Sequence, residues 1–347
     1  MNLKSIIVIV VTLTVLAAAG FAGYYFFIRE EPKSLETVSV SDIFQLRSAP
    51  FFIADELGYY KDEGLNVNIV KKNKGGLAID ALESGELNFG YASPISLIPR
   101  MITNNNIVIL AEIHYSDDNA SVIGRKDSGI NKVEDLKGKK VGVQIGADST
   151  YFLGYLLELH GLTIKDVQLV NVTPDQYLPF MQNGTVDAVS LWRPYSTEVK
   201  NTMKDKISVF SSDDTYYSML VLLTRRDWAE QNPEIVEKFM RATKKAIDYI
   251  NNNRDKAFKI SSYRSLRANP AWTREDLENS WKASIFMMQL EPSLINRLAE
   301  TYNWMTKYGF LKFQKEPNFL THIYMKPLRD ISPNSVLFIE TQNENKN

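Results

Sequence analysis

The chain contains no cysteine, and that absence closes several chemistries at once. Disulfides, thiolate metal sites, cysteine nucleophiles and the lipid anchor of bacterial lipoproteins are all excluded. A cysteine-free chain also suits an oxidising compartment, where a stray thiol is a liability. Histidine is scarce, at three residues. His114, His160 and His322 are far apart and lack carboxylates at ligand spacing, so neither a metal nor a cofactor is expected. His160 precedes Gly161 at a helix end, where the helix dipole favours a cation. An excess of either charge is lacking too, since 40 Lys and Arg stand against 41 Asp and Glu, a formal net charge of -1. Basic residues are scattered, with Arg225-Arg226 and Lys244-Lys245 as isolated pairs, so nucleic acid is not an expected partner. No Ser–His–Asp, lysine-based or paired-carboxylate arrangement is legible, which argues against an enzyme.

A long hydrophobic run is present. Ile6 to Ile28 carries no charged residue; Lys4 precedes it and Arg29-Glu30-Glu31 closes it. Two readings fit. A secretory signal would be cleaved near Ala17-Ala18-Ala19, leaving Phe21, Tyr24, Tyr25, Phe26 and Phe27 at the mature terminus. An uncleaved signal anchor would use the whole run as a transmembrane helix, with those aromatics at the far interface. The second is the expectation adopted for residues 1–29, which places the N-terminus in the cytoplasm and the body outside it. Residues 30–36, with Pro32, read as a linker.

With 347 residues, 44% of them hydrophobic, two globular lobes are the natural prior. One plan occurs twice. Leu82-Glu83-Ser84-Gly85-Glu86-Leu87-Asn88-Phe89-Gly90 is matched by Met181-Gln182-Asn183-Gly184-Thr185-Val186-Asp187-Ala188-Val189. In each, an apolar helix end meets a glycine able to take the left-handed conformation, and a buried strand follows. Strands are predicted at Thr37–Asp42, Val67–Val70, Asn88–Tyr91, Val108–Ile113, Ala120–Gly124, Lys140–Gln144, Val167–Val172, Ala188–Trp192, Ile207–Ser211 and Tyr217–Leu223. Helices are predicted at Pro50–Tyr60, Ala78–Ser84, Pro94–Ile102, Thr150–His160, Pro174–Met181 and Pro194–Lys204. From Asp227 the chain reads as helical, with periodic faces in Glu234–Asn251, Arg274–Gln289 and Ser293–Tyr308. The first lobe is then discontinuous, 37–124 and 217–333, with the second, 125–216, inserted in it. Residues 334–347 read as a disordered tail, polar from Thr341. Two α/β lobes with mixed sheets, joined by two hinge crossovers, would close on a ligand at the carboxyl ends of their strands.

The order of several short motifs resembles one family. Pro50-Phe51-Phe52-Ile53-Ala54, Gly58-Tyr59-Tyr60 and Glu63-Gly64-Leu65-Asn66-Val67 look like the opening of solute-binding proteins of the nitrate/sulfonate/taurine and thiamine-pyrimidine precursor group. Asp135-Leu136-Lys137-Gly138-Lys139-Lys140-Val141-Gly142-Val143 and Asp187-Ala188-Val189-Ser190-Leu191-Trp192-Arg193-Pro194-Tyr195 are similar to its second-lobe signatures. The likeness covers roughly residues 37 to 260. It implies a type II periplasmic binding protein fold, capture of a small solute such as an organic anion, and delivery to the permease and ATPase of an ABC importer, with the chain a monomer. Alternatives are a thiamine-pyrimidine precursor as ligand, a membrane-tethered sensor, or an enzyme of related fold. The eukaryotic relatives that make the thiamine pyrimidine carry a cysteine-rich motif that this chain lacks.

Candidate ligand-binding residues lie where strands end. In Gly146-Ala147-Asp148-Ser149-Thr150 the helix N-terminus and the two hydroxyls suit a polar or anionic group, whereas Asp148 or Ser149 could be only the N-cap. Trp192 ends a buried strand, either as a flat wall for a solute or as core over the hinge. In the first lobe Gln45, Arg47 and Ser48 form a polar loop, with Arg47 able to pair with an oxyanion or stay solvated. Gly76, beside Gly75, allows close backbone approach or simply turns the chain. Ala92 and Ser93 precede Pro94 on the same logic as Trp192, and Tyr91 either joins them or packs in the core. Glu112 and His114 lie near the first crossover, as ligand contacts or as satisfied hinge polar groups.

Overall fold

Two hydrogen-bonded sheets organise the chain beyond its first segment. The computed structural model describes residue 14 and residues 35–42, 46–72, 74–116, 120–193, 195–211, 216–268, 272–312 and 315–338. The chain falls into two units, residues 1–36 and 37–347. Apart from Thr14, the expected membrane span lies outside the described residues; among those described, no helix is long and apolar enough to cross a membrane.

The first sheet runs β11-β4-β10-β3-β1-β2. Its strands are β1 (Glu36–Asp42), β2 (Leu65–Lys71), β3 (Phe89–Ala92), β4 (Ile107–Ser116), β10 (Ser218–Arg225) and β11 (Ser284–Gln289). The second runs β7-β6-β8-β5-β9, from β5 (Ala120–Arg125), β6 (Lys140–Val143), β7 (Gln168–Asn171), β8 (Ala188–Trp192) and β9 (Ile207–Ser211). Both sheets are mixed. β1 is parallel to β3 and β6 to β8, while β10 and β5 run antiparallel to both their neighbours. Leaving aside β11, the two orders are the same, with β2, β1, β3, β10 and β4 matching β7, β6, β8, β5 and β9. The chain passes between sheets twice, between Ser116 and Ala120 and between Ser211 and Ser218.

The strand at 120–125, assigned from sequence to the first lobe, therefore belongs to the second sheet. It pairs from Ala120 opposite Trp192 to Gly124 opposite Ala188. Adjacent apolar strands usually pair with each other; here each strand that follows a crossover fills an interior place in the other sheet instead.

The helices are α1 (Ala49–Glu56), α2 (Tyr59–Asp62), α3 (Gly75–Glu83), α4 (Pro94–Thr103), α5 (Asp148–Leu159), α6 (Tyr177–Asn183), α7 (Tyr195–Met203), α8 (Arg226–Gln231), α9 (Pro233–Asn252), α10 (Arg254–Ala268), α11 (Arg274–Lys282), α12 (Ser293–Lys307) and α13 (Lys326–Ile331). The expected Pro50–Tyr60 helix breaks at Gly58, whose φ of 76° is left-handed. Gly85 and Gly184, which close α3 and α6, take φ of 78° and 79°. The repeat extends further than those glycines. Arg225 at the end of β10 reaches the carbonyl of Leu82 and pairs with Asp227 at 3.1 Å, while Arg125 at the end of β5 reaches the carbonyl of Val186 and pairs with Asp127 at 2.8 Å.

Two expectations fail in the C-terminal part. The predicted Arg274–Gln289 helix stops at Lys282, and Ser284–Gln289 is an edge strand on β4. Residues 334–338 do not behave as a tail, since Val336 bridges to Leu290 and Leu337 N donates to the Leu290 carbonyl at 2.8 Å.

Candidate functional site

In both sheets the carboxyl ends of the parallel strands point to one cavity of about 50 Å³, room for a few waters or a compact polar head group. The first lobe contributes Arg47, Lys74, Gly75, Tyr91, Ala92, Ser93, Ser96 and Leu220; the second contributes Gln144, Ala147, Asp148 and Trp192. Three helices begin at this wall. Lys74 caps α3, Ser93 caps α4 ahead of Pro94, and Ala147 caps α5. Their free N–H groups and dipole ends favour negative charge. Gly75 makes one of these approaches possible, because a Cβ there would stand 2.9 Å from the Cβ of Ala92.

Arg47 sits in a short 3-10 turn, Leu46–Ser48, and is buried. Burial lowers its pKa from the ordinary value, and the nearby Asp148 carboxyl works against that shift. It remains a cation, as arginine does in proteins. Beneath it Ser48 shares a hydrogen bond with the Tyr91 hydroxyl, and Tyr91 stacks on Phe51 with ring centroids 5.5 Å apart. Across the cavity, Tyr216 donates to Asp148 Oδ1 at 2.7 Å; burial, and then Asp148, push the Tyr216 hydroxyl well above its usual range. Two buried polar atoms in the wall make no hydrogen bond among the described residues: Trp192 Nε1, on a side chain 7% exposed, and Gln144 Oε1, on one 5% exposed. Desolvated and unpaired, they call for a partner in the cavity. The lobes touch beside it, where Ser96 Oγ donates to the Gly146 carbonyl at 3.0 Å.

Of the residues singled out from sequence, the structure brings Arg47, Ala92, Ser93, Asp148 and Trp192 together in this wall. Gln45 lies outside the described residues. Ser48 stands one layer back, and Gly75 rather than Gly76 lines the cavity. Gly146 holds Ser96 through its carbonyl. Ser149 and Thr150 do not line the cavity, to which α5 contributes Asp148. Thr150 Oγ1 donates to the Gln144 carbonyl at 2.8 Å, and the Ser149 carbonyl accepts from Ser190 Oγ at 2.8 Å. The N-cap is Ala147, not Asp148 or Ser149. Glu112 is also elsewhere. It is buried in the first sheet, accepts from the Tyr115 hydroxyl and from Glu291 N at 3.2 Å, and is pushed up to about 7 by burial. His114 bonds Ser284 at 3.1 Å, far below its usual pKa through burial, and His160 faces Glu134 at 3.2 Å.

Lys74, Ser96, Gln144 and Leu220 were missed. Gln144 carried the same signal as Trp192, a place at the end of a buried strand, and Ser96 lies in the first turn after Pro94. A wider depression on the first lobe, lined by Lys71, Lys72, Leu77 and Glu86, is open to solvent, and its Lys72 pairs with Glu86 at 2.6 Å. It lies beside the end of β2, apart from the cavity between the lobes.

Two like sheets, two crossovers and a cavity between them define a bilobed periplasmic-binding-protein fold of mixed α/β sheets. The structure matches the alkanesulfonate-binding protein SsuA from Xanthomonas axonopodis pv. citri bound to MOPS with a TM-score of 0.70, at 15% identity, over 84% of this chain and 98% of that one. The chain belongs to the NMT1/THI5-like family, whose sequence model matches residues 45–257. It is 30% identical over 268 residues to a Bacillus subtilis protein named for aliphatic-sulfonate binding, covering 75% of this chain and 77% of that protein. It is also 24% identical over 286 residues to the 4-amino-5-hydroxymethyl-2-methylpyrimidine phosphate synthase of Aspergillus parasiticus, covering 78% and 82%.

Proposed function

We propose that this protein captures a small organic anion of the sulfonate class between its lobes and delivers it to an ABC importer outside the cytoplasm. The observation that carries this reading is the convergence of Arg47, Lys74 and three helix N-termini on one small cavity with an unpaired Trp192 N–H in its wall. The cations and dipoles suit an oxyanion, and the Trp192 and Tyr91 rings suit a short organic body. The relative named for aliphatic-sulfonate binding points the same way. Residues 1–29 act in this reading as an uncleaved anchor, and the protein works as a monomer beside its permease and ATPase. Among the described residues no cavity serine is paired with a histidine, which favours capture without chemistry.

Calorimetry on the chain from residue 33 onward tests it. Methanesulfonate, taurine, nitrate and a neutral aminopyrimidine would be titrated in turn, with one sulfonate bound per chain expected. Binding of the pyrimidine alone would remove the anionic assignment.

A further inference from the structure

The lobes are joined covalently at the two crossovers, but α12 joins them again. This helix follows both crossovers in the chain and lies against α4 of the first lobe, with Leu294, Leu298, Tyr302 and Met305 buried. Its other face reaches α5 of the second lobe. There the Trp304 indole lies on Gly154, so closely that a Cβ at 154 would overlap the ring. Tyr151, one turn earlier on α5, meets Trp304 edge-on at 5.1 Å, and Phe310 stacks on its far side at 5.1 Å. One turn later Glu158 accepts from Lys307 Nζ at 2.9 Å and from the Tyr308 hydroxyl. Residues 151, 154 and 158 form a single stripe along α5. The same helix carries Asp148 into the cavity and, just before its first turn, the Gly146 carbonyl that Ser96 holds.

Opening the cleft requires α5 to swing away from α4. Because α12 touches both, it must lose its hold on one of them. Its buried stripe, Leu294, Leu298, Tyr302 and Met305, runs the length of the helix, whereas its hold on α5 comes from Trp304, the Glu158 pair, and Thr301 and Arg297 beside Tyr151. The α5 contact is the one that gives. We propose that Trp304, seated on Gly154, is a positioning residue that holds α5, and with it Asp148, in the closed orientation. The ligand cavity is therefore largely formed before solute arrives, whichever solute fills it.

The absence of cysteine makes a direct test clean. Ser84→Cys and Gln182→Cys place nitroxide labels at exposed positions near the ends of matching helices of the two lobes, and pulsed electron–electron resonance without added solute reads the distance between them. The background protein is expected to give one narrow distance. Gly154→Ala favours the α5 helix itself but displaces Trp304, so the distribution should broaden and move to longer distances while far-UV circular dichroism is retained. Trp304→Leu should do the same. Glu158→Lys should open the cleft in part, and Glu158→Lys with Lys307→Glu should bring the short distance back. A merely structural contact behaves differently. If Gly154→Ala and Trp304→Leu lower the melting temperature yet leave the distance distribution unchanged, the proposal is wrong.

Discussion

Arg47 and Glu112 are both buried ionisable side chains of the first lobe, and their surroundings give them opposite fates. Arg47 stays charged in the cavity wall. Arg47→Met should weaken sulfonate binding by about 10- to 150-fold, the loss of about 1.5–3 kcal/mol from hydrogen bonds to a charged group, while the unliganded melting temperature holds or rises; calorimetry and thermal scanning would show both. Arg47→Lys should not restore affinity, because an ammonium lacks the fork geometry. Glu112 holds its proton to about 7 in the folded state, whereas an unfolded glutamate releases it near 4.3. Between those values the native state binds the extra proton, so stability falls as pH rises through the window and the loss is complete above it. The loss amounts to at most about 4 kcal/mol. Glu112→Gln should flatten this dependence, measured as urea midpoints at mildly acid and mildly alkaline pH. Strand ends made Trp192 and Ser93 legible from sequence. Ser149 and Thr150 were not, because the direction each side chain takes in the first turn of α5 depends on where the second sheet lies.

The same limit acts on whole elements. Trp281, Ile285 and Met288 fit a helical spacing, and Ser284, Phe286 and Met288 fit a strand; the open edge of β4 decides for the strand. No local signal carries that edge. The α3 and α6 ends were readable because a left-handed glycine is a local device. The two arginines that cover those ends, Arg125 and Arg225, were not, since each acts across a sheet on a distant turn. Between α4 and the loop before α5, the Ser96–Gly146 hydrogen bond is a small interlobe latch. Ser96→Ala should cost about 1 kcal/mol, seen in stopped-flow as solute release faster by about fivefold with little change in association rate.

At the scale of the molecule, the helix–glycine–strand repeat made two like lobes legible and the return crossing before Tyr217 was readable, while the first crossover was placed one strand too late, because β4 and β5 are both apolar and look like neighbours. Residues 1–29 are expected to stay on the mature protein, which intact-mass measurement of membrane fractions should show as a chain retaining Lys4; a chain starting at Gly20 or Gly23 would mean cleavage. The exchanged strands carry a further consequence, for the order of assembly during synthesis. The second sheet uses one unbroken stretch, residues 120–211, whereas the first lacks its interior strand β10 until Arg225 has emerged. Domains ordinarily fold in the order they are made. Here the segment translated first must wait. Nascent chains long enough for Ser211 to have emerged should already protect the second lobe from protease, with the first lobe still cleavable until β10 is out.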